Sequence, residues 1–317
     1  MAVWLARAGH EVSVVARGAN VTAIREKGLR VRDAKSGELL VTRPAADSDP
    51  AKLGPQDAVV IAVKAQGLPE VAAALPPLLG PGTSIVTAMN GVPWWFFDRL
   101  KFGGGRLRLE TLDPGGRLSA AMPTSRIVGC VIHLAASTPE PGLVSHNMNN
   151  KLIIGEPGGA NTARTAQLAG AFNQAGFDCV ASTFIEKDFW VKLMGNVSFN
   201  PVSALTLATA DRLLGDPLVK GYMVAVMREV LAIGRAIGVD ADIDPEARMD
   251  MARVLGKFKT SMLQDMEAGK ALEIDGLLTG TLEVARKAGV PAPFTESLLG
   301  LARVRAATTG QYQALST

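Results

Sequence analysis

Several residue types are scarce in this 317-residue sequence, and each shortage excludes a class of protein. There are two cysteines, Cys130 and Cys179, and no C-x-x-C motif. A disulfide framework is therefore excluded, and a reducing, cytoplasmic location is expected. The three histidines lack the paired spacing of metal ligands, so no metal site is expected. Aromatic residues make up only 5% of the chain, whereas 33 residues are glycine, which is typical of α/β enzymes.

Neither sign of charge dominates the sequence. The 33 Lys and Arg residues and 30 Asp and Glu residues give a net charge of +3, and no stripe of basic residues occurs, so a nucleic-acid partner is not expected. No run of 18 uncharged apolar residues is present, and Arg7 interrupts the apolar start, so neither a membrane span nor a signal peptide is expected. The 48% hydrophobic content is ample for a packed core and excludes disorder as the main description.

The first part of the chain alternates short apolar strands with helices. Residues 57–63 and 84–89 are continuous apolar runs, as expected of parallel strands buried on both faces. Residues 2–8 have the pattern of a helix end, and residues 11–16 form a Val-rich strand. Residues 1–183 are therefore predicted to form an α/β domain with a doubly wound parallel sheet of the Rossmann type. Further predicted elements are helices at 21–27 and 68–79, a hairpin turning at 35–37, and strands at 127–134 and 142–154.

After residue 184 the pattern changes to long helical stretches. Residues 184–317 are therefore predicted to form an all-helical domain, and Pro201 is expected to end or kink its first helix. The glycine-rich insertion at residues 102–116 is predicted to be a surface hairpin or flap. The helices are predicted at 187–199, 218–237, 245–268, 273–288 and 295–309.

The sequence lacks the G-x-G-x-x-G loop that follows the first strand of a Rossmann domain. Those glycines permit a tight turn and place the pyrophosphate of a dinucleotide at a helix N-terminus. Residues 5–17, LARAGHEVSVVAR, match what comes after such a loop: a helix end, a glycine and the second strand. The simplest interpretation is that the chain starts within the first β-α unit, roughly 15 residues late. The alternative is a variant that has lost its pyrophosphate cradle.

Three polar residues follow predicted strands, at the sheet edge where Rossmann folds bind ligands. Arg17 comes just after the second strand, where an arginine can accept the 2′-phosphate of NADP; a solvated loop arginine is the alternative. Lys64 and Asn90 end the two buried strands, which favours contact with a ligand. A solvated lysine and an ordinary Asn-Gly turn are the alternatives.

Residues 189–206, FWVKLMGNVSFNPVSALT, place Lys192, Asn196 and Asn200 at i, i+4 and i+8. On a helix these three side chains share one face. In such apolar surroundings, each unsatisfied amine or amide would cost about 1–3 kcal/mol, and a bound ligand would satisfy them. A polar stripe facing solvent or another helix is the alternative. A partly desolvated lysine is a usable general acid near neutral pH, which suits the reduction of a carbonyl.

Ser261 and Glu273 belong to the segment 261–275, SMLQDMEAGKALEID. One straight helix would separate them by about 18 Å, too far for both to touch a small substrate. Either Ser261 lies in a turn or the two residues serve different parts of a site. A charge placed near a helix N-terminus is the alternative interpretation of Glu273.

Together these segments resemble the ketopantoate reductase (2-dehydropantoate 2-reductase) family over nearly the whole chain. The most specific features are K-x-x-x-N-x-x-x-N-P and the pair SMLQD and EID, because both order and spacing match. The resemblance implies a Rossmann domain followed by a helical domain of the 6-phosphogluconate-dehydrogenase type. It also implies the NADPH-dependent reduction of ketopantoate to pantoate, on the way to pantothenate and coenzyme A. The matching segments are ARAGHEVSVVAR, VKAQ, MNGVP, WVKLMGNVSFNPVSALT and KTSMLQDMEAGKALEID.

The resemblance further implies roles for individual residues. Lys192 would be the general acid. The family has a further substrate-side Asn where this chain has Ala210, and the insertion at 102–116 is longer than in the shortest members. A reductase of a different 2-keto acid and a non-catalytic paralogue are therefore alternatives. The helical domain could support a homodimer. The substrate contacts would be Asn90, Asn196, Asn200 and Ser261, and the NADPH contacts would be Arg17, Lys64, Asn90 and Glu273.

Overall fold

The computed structural model describes residues 1–33, 36–105, 107–160 and 162–312. They form two compact units. The sheet unit comprises Met1–Ala62, Pro69–Ala88 and Ala120–Ile185. The helical unit comprises Val63–Leu68, Met89–Ser119 and the described residues from Glu186 onward.

All nine described strands lie in the sheet unit. They are β1 (Ser13–Val15), β2 (Leu29–Asp33), β3 (Leu39–Thr42), β4 (Ala45–Asp47), β5 (Gln56–Ile61), β6 (Leu79–Ala88), β7 (Ile127–Glu140), β8 (Leu143–Gly155) and β9 (Asp178–Ala181). The first five described helices are α1 (Ala2–Arg7), α2 (Ala19–Lys27), α3 (Leu68–Ala74), α4 (Arg117–Ala121) and α5 (Ala163–Gln174). The predicted alternation of strands and helices is therefore present.

The main sheet has seven strands in the order β3-β2-β8-β7-β6-β5, with β9 paired to β8, and β1 forms a separate parallel ladder with β4. Strands β5, β6 and β7 are parallel to one another, whereas β8 is antiparallel to β7. The antiparallel pair arises because only Pro141 and Gly142 separate the paired residues Glu140 and Leu143, and a parallel crossover needs a dozen or more residues. The sheet is thus mixed rather than wholly parallel.

The core of the sheet unit lies where α5 packs on the central strands. Val86, Val128 and Ile154 are fully buried there, and Phe172 of α5 packs against the same cluster. Strands covered on both faces need apolar side chains at successive positions, which explains the continuous apolar runs of the sequence.

Strands β5 and β6 end at the same edge of the sheet, since Ile61 pairs in parallel with Thr87. After β5 the chain enters a short 3₁₀ turn, Ala65–Gly67, which Lys64 precedes. After β6 the chain continues directly to Asn90. Parallel pairing therefore delivers these two polar residues from neighbouring strand ends, as the sequence predicts.

Seven further described helices belong mainly to the helical unit: α6 (Ile185–Thr206), α7 (Ala210–Gly215), α8 (Pro217–Ala236), α9 (Pro245–Met251), α10 (Ser261–Glu267), α11 (Gly280–Ala288) and α12 (Pro293–Thr308). A π-helical turn, Asp275–Thr279, leads into α11 and is called the π-turn below. Within the described chain, no helix combines the length and apolar character that crossing a bilayer requires.

Two of the differences between the predicted and the observed helices have a clear local cause. Pro201 does not end its helix, since α6 continues to Thr206; the buried neighbours Asn200 and Val202 show that packing holds the helix across the missing N–H. The helix predicted at 245–268 is interrupted after α9, because Gly256 adopts φ +56° and Thr260 starts α10 by accepting the N–H of Leu263.

The described residues of the insertion at 102–116 contain no strand, so the predicted hairpin is wrong. They contain two 3₁₀ turns, Phe102–Gly105 and Pro114–Gly116, and bury the side chain of Leu109. The carboxylate of Glu283 accepts the backbone N–H groups that follow Leu109, at 2.9 Å each, and so fixes the segment on α11. Arg106 here, and Lys35 in the predicted hairpin turn, lie outside the described residues.

Candidate active site

Lys192 is held in place by a helix that is locked in the core of the helical unit. The neighbouring Trp190 is fully buried, and its Nε1 donates to the carbonyl of Val230 at 2.9 Å. A buried indole satisfied in this way fixes the rotation of α6 about its own axis. Lys192, which is only partly exposed, then donates from Nζ to Oδ1 of Asn90 at 2.8 Å. Lys192, the predicted general acid, and Asn90, which follows a strand, are thus in direct contact.

Asn90 is anchored by the glycine that follows it. Gly91 adopts φ +83°, and a Cβ atom there would lie 2.4 Å from the carbonyl oxygen of Gly276 in the π-turn. The same oxygen accepts the N–H of Val92 at 3.1 Å. Only glycine permits so close an approach of two backbones. The Asn-Gly pair is therefore more than a turn signal, because it fixes Asn90 against the segment that carries Glu273.

Glu273 immediately precedes the helical residues that lead into the π-turn, and it completes the cluster. Its carboxyl group accepts hydrogen bonds from the side chain of Asn90 and from the N–H of Ala65. Asn90 therefore bridges two functional groups: its oxygen accepts from Lys192 and its amide nitrogen donates to Glu273.

The environment of Glu273 favours its protonated form. Burial raises the pKa of the carboxyl group, and the nearby negative charge of Asp265 raises it further. The ammonium of Lys64 and the hydrogen bonds from Asn90 and Ala65 act in the opposite direction without cancelling the rise in pKa. Groups with shifted pKa values cluster at functional sites, which makes Glu273 a candidate functional residue.

Lys64 lies in the same unit and supports the loop before Glu273. Its Nζ forms an ion pair with Asp265 at 2.8 Å and donates to the carbonyl of Ala271 at 2.8 Å. Gln66, on the same 3₁₀ turn, donates to the carbonyl of Leu272 at 2.8 Å. Lys64 is therefore not merely a solvated lysine at a strand end.

Asn196 and Asn200 extend the face of α6 that begins at Lys192. Asn196 is partly buried and Asn200 is 7% exposed. Such burial excludes the interpretation of this face as a stripe directed wholly at solvent. The structure thus places all three predicted residues on one helix, one turn apart.

Ser261 is the first residue of α10 and is exposed. That helix ends at Glu267, and Gly269 reverses the chain with φ +64° before Glu273 is reached. No straight helix therefore joins Ser261 to Glu273, and the 18 Å separation expected for one does not apply.

Arg17 belongs to the sheet unit. It follows β1, its side chain is 64% exposed, and it forms an ion pair with Glu70, which is 61% exposed. Arg17 also lines an open groove of this unit, together with Asn20 of α2 and Gly142 of the β7–β8 turn.

Asp265 and the backbone of Ala65 were not predicted from the sequence. Asp265 lies one helical turn after Ser261, within the motif SMLQD, and an acidic residue in so apolar a stretch is a signal that could have identified it. The N–H of Ala65 has no sequence signal, because any residue other than proline carries one.

The chain matches two family models. The model described as ketopantoate reductase PanE/ApbA matches residues 1–94, and the model for the C-terminal part of the same family matches residues 185–306. The 2-dehydropantoate 2-reductase of Mesorhizobium japonicum is 38% identical over 316 residues, which cover 98% of this chain and 95% of that protein.

Solved structures show the same fold. A putative ketopantoate reductase from Ralstonia solanacearum is 46% identical, with a TM-score of 0.93 over 98% of this chain and 94% of that one. A D-mandelate dehydrogenase solved with NADH and anilino(oxo)acetate has a TM-score of 0.84 at 16% identity, covering 98% of this chain and 95% of that one, and it shows the fold alone. The predicted Rossmann-type α/β fold followed by a helical part is confirmed. The chain belongs to the ketopantoate reductase family of oxidoreductases.

Proposed function

We propose that this protein reduces 2-dehydropantoate (ketopantoate) to pantoate with NADPH, as a step toward pantothenate and coenzyme A. The observation that carries the proposal is the Lys192 ammonium, which lies 2.8 Å from Asn90 Oδ1 on a face that continues through two asparagines. Reduction of a keto group needs a proton donor at the oxygen, and an oriented ammonium is suited to that task.

Lys192 donates the proton in the proposed mechanism. As hydride reaches the keto carbon, negative charge develops on the keto oxygen, and the ammonium transfers its proton there to leave a hydroxyl group. Asn90 keeps the ammonium oriented by accepting one of its N–H groups. Asn196, Asn200 and Ser261 are proposed to bind the remainder of the keto acid.

The residues present suit the 2′-phosphate of NADPH and a second part of the cofactor. Arg17 offers an exposed guanidinium whose partner, Glu70, is also exposed, so the pair can rearrange to meet a 2′-phosphate. Lys64, Asn90 and Glu273 are proposed to contact the cofactor. NADPH supplies the hydride when it is bound. Residues 1–183 are proposed as the NADPH-binding domain and residues 184–317 as the substrate domain, in a cytoplasmic enzyme.

The test is the loss of NADPH absorbance when ketopantoate is added to enzyme and cofactor, compared with NADH and with pyruvate and 2-oxoisovalerate. We expect the highest kcat/KM with ketopantoate and NADPH. Faster turnover of another 2-keto acid would replace the substrate assignment. A chain that reduces none of them, yet changes NADPH fluorescence on titration, would be a binding protein rather than an enzyme.

A further inference from the structure

The short segment after α12 carries a glutamine turned back into the helical unit. Gln311 is 4% exposed, so its amide group has to find partners within the protein. Its Nε2 donates to the carbonyls of Lys270 at 2.8 Å, Asp265 at 3.0 Å and Met266 at 3.3 Å. Two of these carbonyls belong to the last turn of α10, where they also accept the backbone N–H groups of Lys270 at 2.9 Å and Gly269 at 3.3 Å. Gln311 thus caps the helix that precedes the Glu273 loop.

The backbone of the same segment holds the loop at the residue next to Glu273. The N–H of Leu272 donates to the carbonyl of Gln311 at 2.9 Å. Gln311 is itself tied to α12, because its N–H donates to the carbonyl of Ala306 at 2.7 Å. Gln311 therefore connects Leu272, the residue before Glu273, to α12 through backbone hydrogen bonds.

Tyr312 holds the other side of Glu273. Its hydroxyl donates to Oδ1 of Asp275 at 3.0 Å, and the same oxygen accepts from Thr279 at 2.7 Å, across the π-turn. Asp275 is 8% exposed and also lies 3.9 Å from Arg303 of α12. A buried carboxylate with this many partners is costly to move. Glu273 therefore lies between two anchored residues, one held by Gln311 and the other by Tyr312.

We propose that Gln311 and Tyr312 are positioning residues, which set the carboxyl group of Glu273 against Asn90 and thereby orient Lys192. The proposal rests on the role of Glu273 in the proposed function. Neither residue touches the reacting groups in this arrangement. A displacement of about 1 Å at such a site can cost on the order of a hundredfold in rate, so modest loosening of the loop should be measurable.

The test is a double-mutant cycle on kcat/KM for ketopantoate. We expect Gln311→Ala to lower kcat/KM about tenfold and Tyr312→Phe about threefold in the wild-type background. In the Glu273→Gln background both losses should shrink to less than about twofold, because residues that act through one group are not additive. Equal losses in both backgrounds would overturn the proposal.

A matched control separates positioning from general stability. Glu229 of α8 caps the opposite end of α12 by accepting the N–H groups of Phe294 and Thr295 at 2.8 Å each. Glu229→Gln should lower the Tm as Gln311→Ala does, yet leave kcat/KM unchanged. If Glu229→Gln reduces kcat/KM as much as Gln311→Ala does, the effect is one of stability, and the positioning role is wrong.

Amide hydrogen exchange tests without turnover whether Gln311 and Tyr312 form a clamp on residues 267–275. In Gln311→Ala, residues 267–275 should exchange faster than in Glu229→Gln, while residues 163–174 of α5 should match. If Glu273→Gln itself leaves kcat/KM unchanged, the role of Glu273 in the proposed function fails. Unchanged exchange of residues 267–275 overturns the clamp instead, so the two failures are distinguishable. If Gln311→Ala does not fold, Tyr312→Phe, which removes one oxygen atom, supplies the same measurements.

Discussion

Arg17 and Lys192 are both cations identified from their positions, but they occupy opposite physical settings. Arg17 is 64% exposed and pairs with an exposed glutamate in the sheet unit. Lys192 lies on a helix packed into the helical unit and donates to Asn90, which in turn donates to Glu273. One cation can rearrange, whereas the other is oriented before any substrate arrives.

In the proposed function, the difference separates a recognition residue from a catalytic one. An exposed ion pair contributes about 0–1 kcal/mol and breaks easily, so Arg17 can exchange Glu70 for a phosphate at little cost. A proton donor has to meet a developing charge without first reorganising, and this requires the fixed partners that Lys192 has. Variants of the two settings should therefore fail in different ways.

The largest effect is expected for Lys192→Met, which removes the ammonium and keeps much of its apolar stem. We expect kcat to fall by about 10²–10⁴-fold, because a general acid of the chemical step is lost. The Kd for NADPH, measured by fluorescence titration, should stay within about threefold. Lys187→Met is the control, since Lys187 is an exposed lysine near the start of the same helix. Comparable turnover in both variants would contradict the role of Lys192.

The second effect tests the backbone contact that fixes Asn90, the partner of Lys192. In Gly91→Ala the new Cβ would lie 2.4 Å from the carbonyl oxygen of Gly276, at a residue with φ +83°. We expect unfolding free energy to fall by about 2–4 kcal/mol in urea titrations. Gly289→Ala is the control, because Gly289 has φ +67° and no atom within 4 Å of its Cβ position. If both variants lose equal stability, backbone strain alone explains the loss and the close contact with the π-turn does not matter.

A third effect tests the adaptable setting. Arg17→Gln should raise the KM for NADPH about tenfold and change the KM for NADH by less than about twofold, because only NADPH carries the 2′-phosphate. Glu70→Gln releases Arg17 from its partner and should lower the KM for NADPH slightly. An equal rise in KM for both cofactors in Arg17→Gln would place Arg17 outside the phosphate site.

The sequence predicts some of these features and not others, for physical reasons. The i, i+4, i+8 spacing of Lys192, Asn196 and Asn200 needs only helical periodicity, so their shared face is predictable. The contact between Gly91 and Gly276 joins residues far apart in the chain, and local pattern carries no information about it. The same holds for the hydrogen bonds of Gln311.

The errors in the predictions also arise from contacts between residues that are distant in the sequence or that pack in the core. Pro201 is a helix breaker by its local chemistry, yet the packing of its buried neighbours maintains α6. The glycines of residues 102–116 favour a loop, but Glu283, which is distant in sequence, secures that segment through two N–H groups. Tertiary contacts decide both cases, and a single sequence does not display them.

The smallest effect sharpens the comparison at Glu273. Its pKa is raised above the ordinary value of 4.5, so the folded protein keeps this proton to higher pH than the unfolded chain does. The resulting stability is fully present below the ordinary value and is lost as pH rises through the folded-state pKa. Glu273→Gln cannot lose a proton, so its Tm should exceed that of the wild type at pH 8, by roughly 2 °C for each ~1 kcal/mol. The difference in Tm should shrink as pH falls from 8 to 4, with Glu267→Gln, an exposed position on α10, as the control. A wild type that is more stable than Glu273→Gln at pH 8 would mean that Lys64, Asn90 and Ala65 more than offset burial, and that Glu273 works as a carboxylate.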